Sequence, residues 1–136
     1  MLIKDVQKCE EFVAGDNAIL RELLHPDKEV IKLRYSLAHA VLKPGHTSYR
    51  HKLKTSEIYY ILEGEGLMHI DNESARVLPG QVIYIPPDSV QYIKNTGEGD
   101  LKFLCIVDPA WTQINTDFQD IKSSYQCVSV KICVLT

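Results

Sequence analysis

His51, Glu57 and Tyr59 are the residues of this chain whose types and spacing could do chemistry. They lie in the run RHKLKTSEIYYILEG. Side chains along a strand alternate faces with period two. If His51 faces inward, Leu53, Glu57, Tyr59 and Ile61 share its side. Glu57 is then a carboxyl group among Tyr, Ile and Leu. Such a group must be paired, hydrogen-bonded or metal-bound, or its pKa rises until it is neutral. Tyr59 on the same side offers a phenol that could orient a ligand or give up a proton. The plainer role for a buried Tyr is packing with one hydrogen bond. Arg50 and Lys52 alternate with His51 and should face water.

Short strands separated by turn signals must position these groups. Glu57 to Glu63 is the densest strand signal, β-branched and aromatic, and Gly64-Glu65-Gly66 supplies the turn after it. Strands are expected near 36–43, 57–63, 67–71, 75–78, 81–85, 91–94 and 101–107. Pro44-Gly45, Pro79-Gly80, Pro86-Pro87-Asp88 and the run from Asn95 to Gly99 punctuate them, a cadence that predicts a sandwich or barrel. His39, within the first of these strands, should lie on the outer face with Lys43. Ala18 to Leu24 fits helix or strand and is read as a strand, before the turn signal His25-Pro26-Asp27. After Trp111 the pattern weakens, and VSVKICVLT reads as a last strand that needs an edge to pair with.

The 136 residues suit one domain with a sizeable core. Residues 1–34 are expected to form an N-terminal arm that includes a dimer-contact strand, 35–111 the barrel and 112–136 a C-terminal extension with a final strand. A net charge of −3, with no basic run, predicts no general attraction to nucleic acid or anionic membrane. MLIKDVQKCEEF is charged throughout and predicts no signal peptide; no apolar run is long enough for a membrane span. Cys9, Cys105, Cys127 and Cys133 form no CxxC pair, so reduced thiols and a cytoplasmic location are expected.

Two spacings carry a family resemblance. Gly45, His51, Leu53, Glu57 and Gly64 fall at the positions of the first cupin motif, where the family has His in place of Leu53. Gly80, Pro86, Asp88, Gln91 and Asn95 fall at those of the second, where the family has Gly in place of Asp88 and His in place of Gln91. The chain resembles small single-domain cupins of the phosphomannose isomerase-related group. The resemblance implies an all-β fold, a single antiparallel β-barrel of jelly-roll type with N- and C-terminal extensions. It also puts His51, Glu57 and Gln91 around one point inside the barrel, where cupins hold a divalent metal. Manganese, zinc, iron and nickel are the candidates, and His46, near the Pro44-Gly45 corner, is a possible further ligand. A metal-free hydrogen-bonded cluster of His51, Glu57 and Gln91 is the alternative.

Two functions remain open at this point. One is a metal-dependent isomerase or epimerase acting on a sugar or small polar acid, with Glu57 and Tyr59 moving protons. The other is a barrel that binds a small ligand without turning it over, or a structural homodimer. A homodimer is expected in either case, through Ala18 to Leu24 or through Val128 to Leu135.

Overall fold

The computed structural model describes residues 1–118. Two short 3-10 turns, Val6–Lys8 and Gln113–Asn115, accompany eleven strands. The strands are β1 Glu11–Val13, β2 Ile19–Leu24, β3 Ser36–Leu42, β4 His51–Leu53, β5 Ser56–Glu63, β6 Gly66–Ile70, β7 Glu73–Val77, β8 Val82–Ile85, β9 Gln91–Asn95, β10 Leu101–Asp108 and β11 Thr116–Phe118. They build two antiparallel sheets, ordered β1-β2-β3-β10-β5-β8 and β11-β4-β9-β6-β7. This is the expected all-β jelly-roll.

Alternation decides what each strand buries. Along β5, Glu57, Tyr59 and Ile61 face in, while Tyr60 and Leu62 stay exposed. The apolar core packs Tyr59, Ile61, Met68, Ile85, Ile93 and Phe103 together, and Tyr59 and Phe103 also border the cavity. The space between β1 to β3 and the short strands β4 and β11 is left for this cavity.

The turns show why the motif residues stand where they do. Gly64 has φ +83, and a Cβ there would come within 2.5 Å of the Asp100 carbonyl oxygen, so only glycine fits. Asp88, which replaces the family's glycine, also adopts a left-handed conformation at φ +63, one that Asp tolerates better than most residues. Its N–H donates to the Leu53 carbonyl at 2.6 Å, tying the β8–β9 turn to β4. Asn95 donates through Nδ2 to the Leu42 and Gly99 carbonyls, both at 2.8 Å, while its Oδ1 accepts from Gly97 N–H.

The segment expected as an arm contributes two strands of the larger sheet. β2 is a strand as expected, but β1 pairs with one of its edges and β3 with the other. Its backbone is therefore satisfied within the chain, and the need for an edge that suggested a dimer contact there disappears. The expected strand at Val128 to Leu135, with Cys127 and Cys133, lies outside the described residues. Cys9 and Cys105 are free thiols. No described helix is long and apolar enough to cross a membrane.

Candidate functional site

β4 and β9 meet at a single Cα pairing, His51 opposite Gln91. The next strand, β5, brings Glu57 and Tyr59 to the same interior. All four side chains are buried, Glu57 with 6% of its surface exposed and Gln91 with 1%. His51, Leu53, Glu57 and Tyr59 line a cavity of about 80 Å³.

The Tyr59 hydroxyl donates to Gln91 Oε1 at 3.0 Å. The neighbouring Gln91 side chain favours the charged form of Glu57. Glu57 Oε1 is left buried without any partner. A buried orphan oxygen is costly, and it marks the place where a bound molecule would complete the network.

Burial is the main cause that lifts the Glu57 carboxyl from its ordinary 4.5 to about 8, and the nearby Asp16 carboxylate adds to it. Glu57 is therefore an uncharged acid at neutral pH. Tyr59 is pushed well above its usual range, first by burial and then by the Glu57 charge, so it remains a donor. Burial raises the Cys105 thiol as well, with Glu57 and Asp16 contributing, which makes it an inert wall.

His51 is held in one tautomer. Its Nδ1 lies 2.9 Å from the Tyr49 carbonyl oxygen, an acceptor, so Nδ1 carries a proton, and in the neutral ring Nε2 is the nitrogen with the lone pair. The Tyr49 N–H donates to the Asp16 carbonyl at 2.7 Å. The Tyr49 backbone thus ties the imidazole to the β1–β2 turn. Asp16, in that turn, also lines the cavity.

His46 is not brought to this place. It is exposed in the turn after Lys43, and its carbonyl accepts from Asn95 N–H at 2.9 Å. Asn95 is at the far end of β9 from Gln91, a strand length of roughly 13 Å. His39 is on the outer face, opposite Arg21 on one side and Leu104 on the other.

These residues do not fit a divalent metal. Leu53 fills the position of a family ligand, and the Gln91 oxygen already accepts from Tyr59. One imidazole and one carboxyl group are the remaining donors, fewer than a divalent transition metal ordinarily takes from protein. Among the described residues, no three His, Cys, Asp or Glu side chains are grouped to hold an ion.

Asp16, Phe12 and Phe118 are site residues that sequence reasoning missed. Asp16 lies in a Gly-Asp-Asn turn, where Asp is ordinarily a local cap; its Oδ1 does accept from Ala18 N–H. Nothing local marks it as facing a cavity.

A small antiparallel barrel with one interior site defines the class of protein. The Cupin domain family matches residues 38–107, just over half of the sequence, and the chain belongs to the cupin family. An uncharacterized protein of Methanocaldococcus jannaschii is 43% identical over 115 residues, covering 83% of this chain and 90% of its own. The oxalate-binding protein of Thermotoga maritima is 37% identical over 67 residues, which span 48% of this chain and 55% of that protein. Among solved structures, the polyketide cyclase RemF of Streptomyces resistomycificus superposes with a TM-score of 0.74 at 16% identity, over 96% of this chain and 98% of its own. That likeness is one of fold.

Proposed function

We propose that this cupin moves protons on a small hydroxy or carbonyl compound held in the barrel, as an isomerase or epimerase of sugar-like molecules does. The observation that carries the reading is the buried, uncharged Glu57, with an unpartnered oxygen, lining the same cavity as an imidazole whose Nε2 is free to accept. Glu57 delivers a proton to the substrate oxygen while His51 Nε2 takes one from carbon or oxygen. Tyr59 and Gln91 are bonded to each other beside the Glu57 carboxyl. A Glu57 acid near 8 lies close to ambient pH, where general acid–base transfer is most effective.

The divalent metal implied by the resemblance has no step in this reading, because the donor set lacks the ligands to hold it. A second reading, binding without turnover, is favoured by the mostly apolar walls, Phe12, Ala38, Ala40, Leu53, Phe103 and Val107 among them. The homodimer belongs to the proposal too. Its support is the exposed Tyr60, Leu62, Val82 and Tyr84 on the outer face of the larger sheet.

Hydrogen–deuterium exchange tests the function. Dihydroxyacetone, glyceraldehyde and glucosamine are incubated with chelator-treated protein in D2O, and loss of carbon-bound hydrogen is followed by proton NMR. Exchange above the protein-free rate, abolished in Glu57→Gln and His51→Gln, is expected. Exchange at the protein-free rate for all three leaves binding without turnover in front. Activity that appears only on adding manganese, zinc, iron or nickel would overturn the metal-independent step.

A further inference from the structure

The cavity walls hold more than the acid and the base. Phe12, Tyr59, Phe103, Trp111 and Phe118 line it from five separate segments. Tyr59 and Phe103 meet with ring centroids 4.6 Å apart, and Phe118 lies 5.7 Å from the His51 ring. The Trp111 backbone is anchored by its N–H to Ser36 Oγ at 2.9 Å and by its carbonyl to His25 Nε2 at 2.9 Å.

The walls carry carboxyl groups. Asp16, Glu22 and Glu57 line the cavity, and among the described residues no lysine or arginine does. Glu22 is answered from outside by Lys28, with Nζ 2.8 Å from Oε1. Asp16 is half-buried, and its carboxylate receives the Ala18 N–H. Glu57 keeps an unpartnered oxygen in the same space. Gly15 presses so closely on the Phe118 ring that a Cβ would lie 2.5 Å from Cζ, which holds the Asp16 turn against an aromatic face.

We propose that the molecule taken by this cavity carries a positively charged nitrogen, seated among the aromatic rings with Asp16 as its counter-charge. This rests on the reading of the cavity as the ligand site and names the class of compound it selects. An aromatic face attracts a cation through its quadrupole, most strongly where water is excluded, and a carboxylate beside it adds direct attraction. An anion would have to shed its water to meet carboxyl groups and no cationic side chain. The site therefore discriminates against oxalate-like and phosphorylated compounds. An amine-bearing hydroxy or carbonyl compound satisfies both the cage and the acid–base pair. The ammonium lies toward Asp16, and the reacting oxygen lies toward Glu57.

Three probes of nearly equal shape test the inference on the full chain by isothermal titration calorimetry. They are choline, the neutral 3,3-dimethylbutan-1-ol and the anionic 3,3-dimethylbutanoate. Choline should bind saturably, with the alcohol about tenfold or more weaker and the carboxylate weaker still. Asp16→Asn should weaken choline about tenfold and leave the alcohol unchanged. Phe118→Leu should narrow the choline preference while circular dichroism shows the fold intact. The inference is overturned if the alcohol or the carboxylate binds as tightly as choline, or if none of the three binds. Proton exchange on dihydroxyacetone without any cation preference would remove this inference alone. Choline binding without exchange on any substrate would remove the proton-transfer reading alone.

Discussion

Replacing Glu57 by Gln should turn a pH-sensitive fold into one far less sensitive. In the unfolded chain this carboxyl titrates near its ordinary 4.5; in the folded protein it titrates near 8. Between those values the folded state holds a proton that the unfolded state has lost. Stability from this group is therefore fully present below 4.5 and declines as pH rises, levelling above about 8. At about 1.4 kcal/mol per pH unit, the loss is roughly 3 kcal/mol between pH 4.5 and 7 and roughly 4 kcal/mol by pH 8. Gln keeps the size and stays neutral, so the variant should hold its stability over that interval. Urea unfolding of both proteins at pH 5, 7 and 9 reads this directly. Other groups titrate in both proteins alike, so the difference between the two isolates Glu57. Parallel stability profiles for wild type and variant would refute the reasoning, since they would mean that Glu57 has the same affinity for protons folded and unfolded.

Two further outcomes follow from the structure. Asp88→Val should cost about 1–2 kcal/mol in urea unfolding, because a β-branched residue is strained at φ +63, whereas Asp88→Gly should be close to neutral. Light scattering at micromolar concentration should find a dimer. Tyr84→Asp, placed where Tyr84 is 60% exposed on the outer sheet face, should shift it toward monomer, and a monomeric wild type would contradict the proposed contact.

The fold was legible where periodicity and punctuation coincide. Glu57 to Glu63 reads as a strand from its β-branched and aromatic residues, and the alternation that puts Glu57, Tyr59 and Ile61 inside is the one the structure has. Asp88 kept its place in the spacing although its identity departs, because the turn needs a left-handed residue there rather than glycine as such. Strands of three residues were not legible as separate elements. β1, β4 and β11 are strands because of the partners they meet, and pairing between distant segments leaves little trace in a local window.

The site divides along the same line. His51, Glu57 and Tyr59 could be grouped by period two within one run. The pairing of Gln91 with Tyr59 spans 32 residues and depends on how two sheets face each other. His46 is close to His51 in sequence, yet it sits at the other end of the sheet. Asp16 and the aromatic rings of Phe12 and Phe118 arrive from the two ends of the described chain, where only the folded sandwich brings them over the cavity.

Carbon-13 NMR of the Glu57 side-chain carboxyl tests most directly whether this residue is an uncharged acid at neutral pH. Protein labelled at glutamate is titrated from pH 3 to 10, and the resonance missing in Glu57→Gln is assigned to Glu57. A midpoint near 8 is the predicted result, with the carboxyl still protonated at pH 7. A midpoint near 4.5 would contradict it, leaving a charged carboxylate in the cavity and no acid to give up a proton.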